Sequence, residues 1–115
     1  MHDSFGKRCY VSGYAFTGPC TPEQINAAVL EVIESIGMTP IFDSKVFTWT
    51  EDGVGFIHVQ CLYESFVAVD VWPKHLGGYL FVISCKPYDH DQVAKTMASN
   101  GFSIGVAKDF PLWLA

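Results

Sequence analysis

Positive charge is scarce in this chain. Seven Lys and Arg residues are scattered among 115 positions, against twelve Asp and Glu, for a formal net charge of −5. No basic run exists to track a phosphate backbone, so nucleic acid is excluded as the expected partner. Long hydrophobic runs are missing as well: no apolar stretch reaches the length needed to span a bilayer. The opening residues, MHDSFGKRCY, lack the basic-then-apolar order of a secretory signal, so the expected compartment is the cytoplasm. Paired cysteine spacing is absent. Cys9, Cys20, Cys61 and Cys85 sit far apart, and without a secretory route they are expected to be thiols. Repeats, linkers and low-complexity segments are absent. Residues 1–115 therefore read as a single domain, long enough to bury a core without staples.

What the chain does have is apolar and aromatic surface: 50% of its residues are hydrophobic and 15% aromatic. A domain this small cannot hide all of that inside. Phe47, Trp49, Trp72, Tyr79, Phe110 and Trp113 are candidates for a pocket or a subunit interface, and a homodimer is the simplest expectation.

Local signals then order the elements. Arg8 to Phe16 mixes β-branched and aromatic residues and reads as a strand, broken by Gly18-Pro19. Thr21-Pro22-Glu23-Gln24 predicts a helix start, with Thr21 as N-cap, Pro22 in the first turn and Gln24 closing a capping box. Ile25, Val29, Val32, Ile33 and Ile36 form its apolar stripe, and Gly37 ends it. SKVFTWT and VGFIHVQCLY flank Glu51-Asp52-Gly53, a hairpin signal. SFVAVDVW continues as a strand, with Pro73 and Gly77-Gly78 making the next corner. YLFVISC is almost wholly apolar, which predicts a central strand covered on both faces. DHDQVAKTMASNG predicts a helix that starts on an Asp cap and leaves His90 in solvent. FSIGVA is a last strand, and KDFPLWLA an apolar tail that packs against something. The order β-α-β-β-β-β-α-β predicts an α+β fold: a two-layer α/β sandwich, helices on one face of a largely antiparallel sheet. The other face is then left for a partner subunit.

Chemistry enters at CLYESFVAVDVWPK, where a carboxylate and a hydroxyl, Glu64 and Ser65, stand side by side at the start of a strand. FGKRCYVSGY, the helix-then-hairpin order, YES before a strand, Trp72-Pro73 after it and YLFVISC next are the features that carry a resemblance. From about Gly6 to Met97 the chain resembles the short bacterial and archaeal type of S-adenosylmethionine decarboxylase. That resemblance implies a proenzyme that cuts itself at the Glu64–Ser65 bond and turns Ser65 into a covalent pyruvoyl group. Such a group is a built-in electron sink, filling the role of pyridoxal phosphate elsewhere. It further implies that Cys85, twenty residues beyond Ser65, donates the proton after decarboxylation. Phe47 falls where the family stacks an aromatic ring on adenine, Trp49 is a second stacker nearby, and Trp72 lines the substrate site. The implied substrate is S-adenosylmethionine and the implied pathway polyamine synthesis.

The departures from the pattern are specific. Asp70 stands where the family carries a processing histidine, so it is a base that cannot become a cation. Ile57 replaces a helper serine; Ser44, Thr48 or Thr50 are the substitutes within reach in sequence. Phe66 replaces a histidine after the scissile serine. Lys74 replaces the glutamate that binds ribose hydroxyls, and Lys only donates hydrogen bonds. Two alternatives follow: a decarboxylase of a related amino acid such as ornithine or arginine, or an uncut homologue that binds S-adenosylmethionine or a partner without this chemistry. No metal is expected. His58 and Cys61 lie three apart on a strand and so face opposite ways, and Gly77-Gly78 lacks the following helix of a phosphate cradle.

Overall fold

The computed structural model describes residues 8–49, 55–63, 65–110 and 112–113. Glu64, Thr50, the side chain of Trp49 and the Glu51-Asp52-Gly53 turn lie outside the described residues.

Two helices lie against one antiparallel sheet. The strands are β1 (Arg8–Thr17), β2 (Lys45–Trp49), β3 (Gly55–Leu62), β4 (Ser65–Trp72), β5 (Gly77–Ser84), β6 (Ser103–Asp109) and β7 (Leu112–Trp113). The helices are α1 (Pro22–Ser35) and α2 (His90–Ser99). Strand order across the sheet is β2-β3-β4-β5-β1-β6, with β7 pairing the start of β1. The apolar tail thus does pack, as a short strand.

Helix α1 begins as its sequence dictates. The Gln24 N–H donates to Thr21 Oγ1, and the Thr21 N–H donates back to Gln24 Oε1, each at 3.2 Å. Gly37 follows the helix at φ 74, a left-handed conformation that a side chain would strain. Ile25, Ala28, Val29, Val32 and Ile33 are buried on its inner face, and α2 adds Val93 and Met97. They meet alternate residues of the sheet: Tyr14 and Phe16 of β1, Phe56 and Leu62 of β3, Val67, Val69 and Val71 of β4, Leu80 and Val82 of β5. This period-two alternation places the core between the helices and one sheet face.

Two expectations are corrected. YLFVISC forms a central strand, but no helix covers its second face: Tyr79 is 48% and Phe81 38% exposed. An all-apolar strand reads as doubly covered only if nothing else wants the second face, and here that face also carries Phe47, Ile57 and Phe66, all exposed. The corner after Trp72 is also not made by glycines. It is a 3₁₀ turn over Pro73–His75 closed by Leu76 at φ 52. Gly77 and Gly78 already belong to β5, where a Cβ would meet the Phe16 carbonyl oxygen at 2.3 Å and that of Asp70 at 2.1 Å. They are glycines because the neighbouring strands leave no room.

Candidate active site

Ser65 is the first residue of β4 and sits on the helix side of the sheet, in line with buried Val67, Val69 and Val71. Cys85 follows the last residue of β5, the neighbouring strand. The two ends meet. The Cys85 backbone N–H donates to Ser65 Oγ at 3.3 Å, and the Ser65 hydroxyl approaches Cys85 Sγ at 3.9 Å. Both side chains are half-buried and border a cavity of about 230 Å³, lined also by Met38, Leu62, Tyr63 and Lys86. All four cysteines are thiols.

Lys86 is a residue the sequence reading missed. Its Nζ donates to the Gly37 carbonyl at 3.3 Å, tying the end of α1 to the cavity rim. A lysine directly after Cys85, at the end of an apolar strand, is the one signal that points to it. Behind it, Ser84 is buried and its Oγ accepts the Lys86 N–H at 3.1 Å while donating to the Lys86 carbonyl at 2.8 Å. That paired bond fixes the chain direction just where Cys85 must face Ser65.

The remaining sequence candidates gather elsewhere. Asp70 and Ser65 differ by five positions on β4, an odd number, so their side chains leave opposite faces. At about 3.3 Å per residue they are also about 16 Å apart along the strand. Phe47 opposes Ile57, which opposes Asp70, which opposes Tyr79, which opposes Ala15. One cross-strand row on the open face thus holds Phe47 and Asp70, with Trp72 two residues on. Phe47 is 58% exposed on the edge strand and is not a core residue. Asp70 and Trp72 border a second cavity of about 470 Å³, together with Thr17, His75 and Tyr79. Lys74 is exposed on the 3₁₀ turn and is not one of its walls. Ile57 lies on the open face, whereas Ser44 donates to Asn26 Oδ1 at 3.3 Å on α1.

Three histidines resolve differently. His58 is fully buried under the helices and, among the described residues, neither ring nitrogen has a hydrogen-bond partner. Burial pushes its pKa below the usual imidazole value, which keeps it neutral. Cys61 is exposed on the other face, as strand parity requires. His75 stands beside Trp72, ring centroids 6.4 Å apart. His90 is not simply solvated. It shares a 2.5 Å hydrogen bond between Nδ1 and the Tyr14 hydroxyl, and its Nε2 lies 3.9 Å from Asp109 Oδ1. Ser12 donates to the same Asp109 oxygen at 3.0 Å and accepts from the Tyr88 hydroxyl at 2.5 Å. Burial first, then the neighbouring Tyr88, pushes the Tyr14 phenol upward; burial does the same to Tyr88. This cluster clamps the start of α2 to β1 and β6. Among the described residues no group of three or more His, Cys, Asp or Glu is gathered around a metal position. No helix of the described residues is long and apolar enough to cross a membrane.

A two-layer antiparallel α+β sandwich with a serine at the start of one central strand, facing a cysteine just past the end of the next, defines the class. A sequence model of S-adenosylmethionine decarboxylase matches residues 19–102, and the chain belongs to that family. Its fold is similar to that of the adenosylmethionine decarboxylase from Aquifex aeolicus vf5, with a TM-score of 0.64 at 13% identity over 95% of this chain and 91% of that one. No curated protein matches the sequence.

Proposed function

We propose that this chain is a pyruvoyl-dependent decarboxylase of S-adenosylmethionine, acting in polyamine synthesis in the cytoplasm, whose precursor cuts itself between Glu64 and Ser65. The observation that carries the reading is the Ser65–Cys85 contact, in which a hydroxyl and a thiol twenty residues apart share one cavity.

The residues present suit a pyruvoyl group at position 65. A carbonyl accepts and cannot donate, and the backbone N–H of Cys85 is already aimed at this side chain. Once bound in the chain, such a group supplies an electron sink for loss of a carboxylate. The chain's own part is positional. The ladder of β4 with β5 fixes residue 65 beside Cys85, and Cys85 Sγ lies within reach of it in the same cavity. Because Cys85 contributes its N–H through the backbone and its proton through the side chain, the two roles separate under mutation.

Phe47, Asp70 and Trp72 cannot touch a ligand that also sits at Cys85 of the same chain, given the face and the distance that divide them. For them to act on the same substrate they must come from the second copy of a homodimer, which the open aromatic face suits.

Mass analysis of the denatured protein tests the reading. The expected result is two fragments meeting at Ser65, the shorter, C-terminal one carrying a ketone at its N-terminus, and an intact 12.7 kDa chain for Ser65→Ala. Cys85→Ala keeps the backbone donor and so still cleaves, but loses roughly 10²–10⁴-fold in turnover, the usual worth of a positioned proton donor. An uncut wild-type chain overturns the proposal.

A further inference from the structure

Two of the four thiols, far apart in sequence, are brought opposite each other by the sheet. In the β1–β5 ladder Val11 faces Ile83 and Tyr10 faces Ser84, so the next step of the same antiparallel register sets Cys9 against Cys85. The kind of pair follows from where the backbone bonds go. The Phe110 N–H donates to the Val11 carbonyl, which aims Val11 away from β5 and leaves Tyr10 to exchange hydrogen bonds with Ser84. Cys9 and Cys85 are then a non-hydrogen-bonded pair, and the Cys85 N–H turns the other way, to Ser65 Oγ. Opposed residues of that kind stand about 4.5 Å apart at Cα, inside the roughly 4.4–6.8 Å that a disulfide spans. The two positions share a face as well. A Cβ on Gly13 would meet the Phe81 ring at 3.2 Å, so positions 9, 11 and 13 of β1 point to the same side as 81, 83 and 85. Both thiols are half-buried, within reach of a small oxidant. The other two cysteines are placed differently. Cys20 is buried, its thiol donating to the Gly18 carbonyl at 3.1 Å. Cys61 is on β3, two strands and so about 10 Å from β5, too far to bridge.

The geometry points to Cys9 and Cys85 as a reversible dithiol–disulfide pair that a peroxide closes. One sulfur attacks the peroxide, whose O–O bond breaks to leave a sulfenic acid and a water. The other sulfur then displaces a second water as the S–S bond forms. Two thiol protons and two electrons pass to the peroxide, and a small thiol reductant returns them. Cys85 Sγ in the open form lies 3.9 Å from Ser65 Oγ, on the β4 side of its strand. A change of χ1 rotamer swings it to the β1 side, toward Cys9. Closing the bridge therefore takes Sγ away from residue 65. The bridge itself rests on the fold; its consequence for turnover rests on the decarboxylase reading, in which the same closure withdraws the proton donor. A thiol pair of this kind, open at rest and closed by oxidant, is the form disulfides take inside a reducing compartment.

Non-reducing peptide mapping of the full chain, exposed to hydrogen peroxide and then alkylated, tests the bridge. The expected product is a linked Cys9–Cys85 peptide, short of two hydrogens and parted by dithiothreitol, in wild-type and uncut Ser65→Ala chain alike. In a cut chain the bridge also joins the fragments, since Cys9 lies in the leading one and Cys85 in the trailing one. A denaturing gel then shows one band without reductant and two with it. Cys9→Ser abolishes the link and Cys61→Ser leaves it. Turnover of the cut wild type falls in proportion to the linked fraction and returns with dithiothreitol. Cys9→Ser starts from wild-type turnover, but more of its loss is permanent, because a sulfenic acid at Cys85 finds no second thiol and oxidises further. Failure of peroxide to link Cys9 to Cys85 in folded wild type, or a bridge through Cys20 or Cys61 instead, overturns the inference. Full turnover by the linked chain overturns the switch. A linked chain that never decarboxylates supports the bridge and tells against the decarboxylase reading.

Discussion

His58 is the residue whose surroundings satisfy it least. It sits on the buried face of β3, opposite Val46 and Val69, where a hydrophobic side chain would fit better. An unpaired imidazole there has a pH signature. Its folded-state pKa lies below the unfolded value of about 6.5, so the folded chain stays neutral where the unfolded chain takes up a proton. Stability from this group is therefore full above about pH 6.5 and is lost as pH falls below it. His58→Leu is expected to raise stability by about 1 kcal/mol at neutral pH, by removing a buried unsatisfied group. The same variant flattens the decline in melting temperature between about pH 7 and pH 5. Thermal melts at several pH values check both; a steeper acid decline in the variant would sink the account. The Ser65–Cys85 pair was legible through the resemblance, which implies a cysteine twenty residues after the serine; in the structure the two meet because Ser65 begins β4 and Cys85 follows the end of the neighbouring β5. Lys86 was not, because what gives it a place is the Gly37 carbonyl, forty-nine residues away. Nor was the clamp on His90, whose partners Tyr14 and Asp109 come from strands at either end of the chain.

Among the elements, α1 was the most readable because its start is chemically specified within four residues. Thr21→Ala removes the acceptor for the Gln24 N–H and half of a reciprocal pair. The expected cost is about 1 kcal/mol in denaturant unfolding, with no effect on processing at Ser65, since the cap is at the far end of the helix from Gly37. A loss of cleavage in this variant would mean that α1 does more than cover the sheet. The strands were readable in number and order, and less so in surroundings. Periodicity shows which residues share a face but not whether anything covers it, so Phe81, within an all-apolar run, looked buried. Parity alone would have separated Asp70 from Ser65, because positions an odd number apart on a strand never share a side. Glycine pairs were read as a bend by default. Only the closeness of β1 and β4 on either side of β5 explains why Gly77 and Gly78 lie within a strand.

For the molecule as a whole, the open face is the surface on which the proposed homodimer rests. Phe81 occupies its middle, on central strand β5, with its ring over Gly13 and Phe110 close by. Phe66, Ile57, Tyr79 and Phe47 extend the same surface. A second copy placed there removes this aromatic surplus from water and brings one chain's Asp70 and Trp72 toward the other's substrate. Phe81→Glu sets a charge in the centre of the contact without touching the core. The expected outcome is a native mass that falls from dimer to monomer with the circular dichroism unchanged; a wild-type monomer at micromolar concentration would remove the basis for the dimer.

The order of strands has a consequence for a chain nicked at residue 64. The leading segment would own β2, β3 and β1, the trailing one β4, β5 and β6, so across the sheet the pieces alternate instead of lying side by side. β1 is wedged between two strands of the other piece and hydrogen-bonded to both. The severed halves are interlaced, and neither can be lifted away while the sheet stands. Losing one covalent link in the backbone therefore frees a new terminus for chemistry without freeing either fragment to leave.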